Sequence, residues 1–244
     1  IKKKLMSKIK TKNMIQFSNF EKKTKIIFKN KKLLEQAFIH RSYINENPST
    51  KLSHNERLEF LGDAVLELIV TDFLYKKYPN YAEGELTALR SALVNAVIIS
   101  EVATNIGMND YLLLSKGEAK DNGKARQYIL ANTYEAYIGA LYLDQGIRVV
   151  DKFVHESLLP KTEEIVTKKL WRDAKSLVQE KAQEFINLTP AYRVLSESGP
   201  DHDKHFTVGI FFGSNLIAEG RGKSKREAEQ KAAEAALKVK NWMD

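Results

Sequence analysis

The sequence predicts an all-α domain followed by a small α+β domain with the element order α-β-β-β-α. Two features of the 244 residues support this prediction. From about residue 24, apolar residues recur at steps of three and four, which is the period of amphipathic helices. After Trp171, short runs alternate apolar and polar residues, which is the period of strands, and a helical pattern lies on either side of them. We therefore expect a basic arm at residues 1–23, an all-α domain at 24–169 and an α+β domain at 172–243.

Charge is distributed unevenly along the chain, whose formal net charge is +8. Residues 1–33 carry 12 lysines and one glutamate, whereas residues 34–170 hold 15 basic and 19 acidic groups. An acidic centre beside a basic segment suits a polyanionic substrate that is handled with metal ions. For the basic arm two interpretations stay open, a solvated tail and a contact to nucleic acid.

The composition excludes several kinds of protein. The chain has no cysteine, which rules out disulfides and cysteine-ligated zinc, and 43% of its residues are hydrophobic. No apolar run approaches the roughly 18–20 residues of a membrane span. We expect a cytoplasmic protein with no membrane partner and no small-molecule cofactor.

The helices of the first domain are predicted from the spacing of apolar residues and from loops that contain Pro and Ser. A first apolar face predicts one helix that ends near Tyr43. Ser53 and Glu56 have the spacing of a capping box, so the next helix is expected to begin there and to stop before Pro79. Further helices are predicted at residues 83–107, 128–146 and 147–169.

The second domain is predicted from three strands between two helices. In the central strand Phe206, Val208, Ile210 and Phe212 alternate with smaller or polar residues. The strands are expected at residues 191–199, 205–213 and 215–222, and the helices at 173–185 and 223–240.

The helix that begins near residue 53 carries a stripe of carboxylates. Glu56, Glu59, Asp63 and Glu67 follow one another at steps of three, four and four, which places them on one helical face. The packing face is expected to hold Leu58, Leu61, Val65 and Leu68. From spacing alone the stripe is either a helix surface that happens to be acidic or a cradle for hard divalent cations, which prefer carboxylate oxygens.

The stretch HNERLEFLGDAVLE closely resembles the signature of the ribonuclease III family, and ILANTYEAYIGA resembles its second metal-binding segment. The resemblance implies an all-α endonuclease domain in which Glu59, Asp63, Asn132 and Glu135 bind metal. It further implies that Asp63 and Glu135 are the catalytic residues beside the scissile phosphate. Without the resemblance, Asn132 and Glu135 would be ordinary surface or capping groups three residues apart on a helix.

The resemblance implies Mg²⁺ as the cofactor, for which Mn²⁺ can substitute. The sequence departs from the family at Asn132, where many members have Asp. An amide oxygen still coordinates Mg²⁺ but carries no charge, so we expect weaker metal binding at this position.

Three further residues gain a role from the resemblance. Glu83 matches an auxiliary acidic position near the active-site valley, although a favourable charge at a helix N-terminus is an alternative. Glu56 is a second auxiliary carboxylate, with a capping role as its alternative. Phe60 matches an aromatic residue at the interface of a homodimer, and its alternative is a place in the core of its own subunit.

In the second domain GPDHDKHF and GKSKREAEQKAAEAAL resemble the motifs of the double-stranded-RNA-binding domain. Cations at the start of the last helix suit phosphates, and polar residues on one face of the first helix can contact 2′-hydroxyls. A cationic helix start can also be merely solvated. The expected RNA-binding residues are Ser176, Gln179, Gln183, His202, Lys223, Lys225 and Arg226.

These resemblances imply a homodimeric endonuclease that hydrolyses double-stranded RNA in a Mg²⁺-dependent reaction and leaves 5′-phosphates. Precursors of ribosomal and messenger RNA are the expected substrates. The alternative is a non-catalytic scaffold that binds double-stranded RNA, for which Asn132 would be an early step of decay. The carboxylates at Glu59, Asp63 and Glu135 favour the enzyme.

Overall fold

The computed structural model describes residues 17–120, 123–167, 174–200 and 203–242. The chain divides into two compact units, one that ends at Lys168 and one that begins at Lys169. The arm up to residue 16, the linker at 168–173 and His202 lie outside the described residues.

The first unit is all-α, as predicted, and its described residues hold nine α-helices and two short 3₁₀ turns. The helices are α1 (Ser18–Thr24), α2 (Lys31–Ala37), α3 (Arg41–Glu46), α4 (Glu56–Lys77), α5 (Glu83–Leu93), α6 (Ala96–Asn105), α7 (Lys124–Gln145), α8 (Ile147–Ser157) and α9 (Lys161–Thr167). The 3₁₀ turns are Met108–Tyr111 and Glu118–Lys120. Helix α7 is central, because half of its 22 residues are buried.

Helix α1 lies in the segment that was expected to be part of the basic arm. Its Phe20 is fully buried, and the ring contacts Phe38 and Tyr137 at centroid distances of 5.2 and 5.4 Å. The boundary of the arm at residue 23 is therefore too late. Helix α1 packs onto the helical unit through its two buried residues, Phe20 and Glu21.

Three predicted helices are each broken into two, for different reasons. The first breaks because Ile39 bridges Leu113, after which the His40 side chain accepts a hydrogen bond from Ser42 N and starts α3. The stretch 83–107 breaks at Asn95, whose side chain accepts from the first amides of α6. The stretch 147–169 breaks at residues 158–160, where Pro160 is followed by the start of α9.

The acidic helix α4 does not begin with the predicted capping box. Its N-cap is Asn55, which is buried and donates a side-chain hydrogen bond to the carbonyl of Ala37. Ser53 lies two residues before the cap and is exposed. A tertiary bond to α2 thus fixes the start of α4.

Helices α4 and α7 approach each other until their backbones touch. A Cβ atom on Gly62 of α4 would overlap the carbonyl oxygen of Glu135, and a Cβ on Gly139 of α7 would overlap that of Leu58. Only glycine permits such an approach in a helix without moving one backbone away. The two glycines therefore set the distance between the helices that carry the acidic residues.

The second unit has the predicted α-β-β-β-α order. It consists of α10 (Ala174–Ile186), β1 (Ala191–Ser198), β2 (His205–Phe212), β3 (Asn215–Gly222) and α11 (Lys225–Val239). The sheet is antiparallel with the order β1-β2-β3, and Ile210 and Phe212 pack with apolar residues of both helices. Ser224 caps α11 by accepting from Glu227 N at 3.2 Å, as its spacing predicted.

No single helix in the described residues is long and apolar enough to cross a membrane. The pair α5 and α6 reaches that length and composition only when it is taken together across a bend of 46°. Leu89, Leu93 and Ile99 of this pair are buried in the helical unit.

From the contact between Gly139 and the backbone of α4 we predict an effect of substitution on stability. Gly139→Ala should lower the free energy of unfolding by about 2–3 kcal/mol or more, because the added methyl group overlaps the backbone of α4. Denaturant unfolding followed by circular dichroism measures this change. Gly84→Ala in α5 is the matched control, since a Cβ there meets nothing within 4 Å. The control should be neutral or more stable by about 0.5–1 kcal/mol. Equal midpoints for Gly139→Ala and the wild type would contradict the close packing.

Candidate active site and RNA-binding surface

The four predicted metal ligands come from the two helices that meet at the glycine contact. Glu59 and Asp63 lie one turn apart on α4, and Asn132 and Glu135 lie on α7. Asp63 is exposed, whereas the other three side chains are half-buried. Because Gly62 touches the backbone of Glu135, the two pairs face each other across the contact.

Glu135 is the most perturbed carboxyl group of this surface. Burial, together with the neighbouring charges of Asp63, Glu59 and Glu67, raises the pKa of Glu135 to about 7. Near neutral pH the side chain is therefore divided between its acid and carboxylate forms. Both the burial of Glu135 and the nearby carboxylates disfavour its charged form.

Asn132 is hydrogen-bonded to the carboxyl group of Glu59. Burial and the charge of Glu56 raise the pKa of Glu59, the bond from Asn132 lowers it, and Asp63 raises it again. A bond that lowers the pKa stabilises the carboxylate, so the amide N–H of Asn132 donates. The departure from Asp at this position thus supplies a donor to Glu59 that a carboxylate could not supply.

The donor set fits a hard divalent cation. Three carboxylates and one amide offer only oxygen ligands, and their mutual repulsion is what a bound cation would relieve. Within the described part of the chain, no three His, Cys, Asp or Glu side chains already converge as a metal site. The predicted metal-binding roles of the four residues therefore stay predictions.

The two auxiliary carboxylates lie in different places. Glu56 extends the acidic surface at the start of α4, 3.9 Å from Arg41 and 3.7 Å from His54. Glu83 is exposed in the first turn of α5, where a negative charge favours a helix N-terminus. In the described residues, Glu83 is not among the groups that shift the pKa of Glu59 or Glu135.

Glu118, which was not among the predicted site residues, lies near the acidic surface in the structure. Burial lowers the pKa of His40, and Glu118 and Glu56 oppose this effect, so both carboxylates lie near the same imidazole. Arg126 fixes the turn by donating to the carbonyls of Glu118 and Ala119 at 3.0 and 3.1 Å. The acidic residue inside a glycine-rich loop was the only signal in the sequence.

An apolar stripe runs beside the carboxylates on α4. Phe60 is 81% exposed and Leu68 is 62% exposed. The intramolecular core position that was the alternative for Phe60 is therefore wrong. The prediction that Leu68 lies on the packing face is also wrong. Phe60, Ala64 and Leu68 follow one another at steps of four, so Leu68 shares the exposed face of Phe60. This exposed stripe is available to another protein surface.

In the second unit Ser176, Gln179 and Arg226 line one groove between α10 and α11. The groove has a volume of about 850 Å³. Gln183 is exposed on the same helix as Ser176, but its amide donates to the side chain of Asn187. The groove thus brings three of the predicted RNA-binding residues together.

The lysines at the start of α11 already have acidic neighbours. Lys223 lies 3.4 Å from Asp203, and Lys225 lies 3.4 Å from Glu197. All these side chains are substantially exposed, so the ion pairs are weak and exchangeable. They leave both ammonium groups at the surface that Arg226 shares.

Comparison with known proteins identifies both units. The model of the Ribonuclease-III-like family matches residues 30–162, and that of the Double-stranded RNA binding motif matches residues 174–240. Ribonuclease 3 of Borreliella burgdorferi is 45% identical over 224 residues, 92% of this chain and 91% of that protein. Ribonuclease 3 of Streptococcus gordonii is 43% identical over 88% of this chain and 93% of its own length.

Solved structures extend this similarity to the fold. The nuclease domain of ribonuclease III from Campylobacter jejuni matches with a TM-score of 0.54 and 36% identity over 59% of this chain and 96% of that chain. The Campylobacter jejuni structure is described as flexible in a region involved in dimer formation. Sequence, helical fold and RNA-binding module agree: the chain belongs to the ribonuclease III family, whose members are endonucleases of double-stranded RNA.

Proposed function

We propose that the enzyme cleaves double-stranded RNA with Mg²⁺ held by Glu59, Asp63, Asn132 and Glu135. The observation that carries this proposal is the backbone contact of Gly62 with Glu135, which brings the carboxylates of α4 and α7 into one cluster, where the pKa of Glu135 is raised to about 7. A cluster of this kind is unfavourable by itself and is relieved by a hard cation. We expect Mn²⁺ to substitute, because it takes the same oxygen ligands.

Each side chain has a distinct task in this proposal. Glu135 must lose its proton before it can act as a ligand, so cation affinity falls as the pH is lowered through about 7. Asn132 keeps Glu59 ionised by its hydrogen bond. Asp63, the exposed member, stands closest to the solvent from which the RNA arrives. A bound Mg²⁺ supplies positive charge to the phosphate oxygens and acidifies the attacking water.

The exposed stripe of Phe60 and Leu68 supports a homodimer as the working unit. A monomer would leave this apolar surface in water. The Campylobacter jejuni relative has a region involved in dimer formation. Two subunits would bring two acidic centres, one for each strand of a duplex, and hydrolysis would leave 5′-phosphates.

The second unit supplies affinity for the duplex in this proposal. Ser176, Gln179 and Arg226 line its groove, with Lys223 and Lys225 beside Arg226. Ser and Gln side chains suit 2′-hydroxyls, and the cations suit phosphates. Ribosomal and messenger RNA precursors in the cytoplasm are the proposed substrates. A scaffold without catalysis is the less favoured reading, because a binding surface gains nothing from the repulsion around Glu135.

The first prediction concerns Glu135→Gln in metal-free protein. The folded pKa is about 7, above the ordinary value of 4.5, so ionisation destabilises the fold as the pH rises between these values. At pH 8 the variant should be more stable than the wild type by about 1–2 kcal/mol, allowing for solvent screening, and equal to it near pH 4.5. Thermal unfolding with and without Mg²⁺ measures this.

Added Mg²⁺ should stabilise the wild type and not Glu135→Gln, and cleavage by the variant should fall at least about a hundredfold while RNA affinity persists. Glu83→Gln is the matched control, since its carboxylate lies outside the cluster, and it should show no gain in stability at pH 8. Wild-type cleavage by Glu135→Gln would remove this residue from the site.

A second prediction separates two roles of Asn132. If its oxygen is a metal ligand, Asn132→Asp adds a charged oxygen and lowers the Mg²⁺ concentration for half-maximal cleavage by up to about tenfold. If Asn132 serves only to donate to Glu59, the substitution removes that bond and the midpoint rises. We expect the lower midpoint, measured by Mg²⁺ titration of cleavage. An unchanged midpoint with unaltered folding would strike Asn132 from the ligands.

A third prediction concerns the RNA-binding surface. Replacing Lys223, Lys225 and Arg226 by Ala should weaken binding to all duplex sequences alike and flatten the dependence of log affinity on log salt by about one to two units. Fluorescence anisotropy at several salt concentrations provides both values. Lys238→Ala, at the other end of α11, is the control and should leave the slope unchanged. An unaltered slope in the triple variant would mean that the cluster is only solvated.

A further inference from the structure

Helix α7 presents a second kind of residue on the face that carries Asn132 and Glu135. Lys124, Tyr128, Asn132 and Glu135 follow one another at steps of four, four and three, so they share one side of the helix. Tyr128 is 59% exposed there. The other tyrosines in the middle of α7, such as Tyr134, are fully buried. The helix thus carries an exposed phenol in line with the acidic site.

The fold gives Tyr128 no structural task. Within the described residues it forms no hydrogen bond, ring contact or cation–π pair, and its neighbours Ile129 and Leu130 supply the packing of this turn. By contrast, Tyr134 donates to or accepts from the hydroxyl of Ser157 at 2.8 Å and packs against Phe153. An exposed aromatic ring without a partner is therefore free to meet a ligand.

The distance between Tyr128 and Glu135 indicates which part of the substrate Tyr128 would contact. Seven residues of helix place the two backbone positions about 10 Å apart. A separation of this size is spanned by a few nucleotides of one strand. Lys124, one further turn away, is exposed and supplies a cation for a phosphate. The phenol stands between this cation and the carboxylates.

The chemistry of the phenol points to the ribose. The minor groove of A-form RNA is wide and displays 2′-hydroxyls, whereas the stacked bases of a duplex are not available to an aromatic ring. A phenol both donates and accepts, as a 2′-hydroxyl does, whereas an ionised phosphate oxygen can only accept. We infer that the Tyr128 hydroxyl hydrogen-bonds a ribose 2′-hydroxyl within a few nucleotides of the scissile phosphate, and so helps the nuclease unit to distinguish RNA from DNA. This inference rests on the proposed location of the active site.

The test removes one hydroxyl oxygen from the protein and, separately, one from the substrate. Tyr128→Phe removes only the hydroxyl, and a series of duplexes carries one 2′-deoxynucleotide at each position around the cleaved bond. On the all-ribose duplex, Tyr128→Phe should lower kcat/KM about three- to tenfold, the value of one neutral hydrogen bond. At one position of the duplex, the deoxynucleotide should lower kcat/KM of the wild type by a similar factor. The same deoxynucleotide should leave kcat/KM of Tyr128→Phe unchanged from its value on the all-ribose duplex. Tyr75→Phe, at a 71% exposed tyrosine of α4, is the matched control and should behave as the wild type.

Two results would overturn the inference. Equal kcat/KM for Tyr128→Phe and the wild type on all-ribose RNA would show that the hydroxyl makes no contact. A loss that is the same on every deoxy-substituted duplex would assign the hydroxyl to another group, such as a phosphate. The proposed active site is tested separately, because active Glu135→Gln would refute that site whatever Tyr128 does. Tyr128→Ala that changes subunit association in sedimentation, while Tyr128→Phe cleaves normally, would place the ring in a protein interface and also refute the inference.

Discussion

The backbone contact between α4 and α7 is the constraint on which the rest of the nuclease unit depends. Gly62 and Gly139 let each helix touch a carbonyl group of the other, near Glu135 and Leu58. The residues that flank the two glycines are consequently held by main-chain geometry rather than by flexible side chains. Sites on rigid secondary structure hold their groups more closely than sites on loops. This explains how a helical unit can keep several carboxylates together despite their repulsion.

The carboxyl groups of the acidic surface lower the stability of the fold, although they are the groups that the proposed activity needs. The raised pKa of Glu135 and Glu59 shows that their charged forms are disfavoured in the folded protein without a cation. The buried aromatic cluster around Phe20 and Tyr137, at the core side of the same central helix, contributes the opposing stabilisation. Helix α7 thus carries buried aromatic residues that stabilise the fold on one side and carboxyl groups whose charge is disfavoured on the other.

The sequence predicted the order of elements well because each depends on local spacing, but it could not locate breaks that depend on distant contacts. The separation of α2 from α3 follows from the bridge between Ile39 and Leu113, which are far apart in the sequence. Asn95, in contrast, was a readable capping signal inside a long apolar stretch. Leu68 was misplaced because helical periodicity does not say whether an apolar stripe faces the core or another surface. The acidic residues of α4 could be grouped from their spacing. Their partners on α7 were found only through the resemblance to a known family. The two sets lie close together because of the contact at Gly62 and Gly139, which no local sequence pattern reveals.

The ion pairs at the start of α11 have a consequence for discrimination between polyanions. Lys223 and Lys225 are each accompanied by a carboxylate of the same unit, Asp203 and Glu197. In the proposed RNA complex, an incoming phosphate would displace these carboxylates, so a single anionic contact would gain little free energy. A ligand that engages several such positions at once gains from every exchange after the first, because its later contacts form within one complex. In that complex, the carboxylates would favour a long, regular helix that makes many contacts over a short polyanion that makes few.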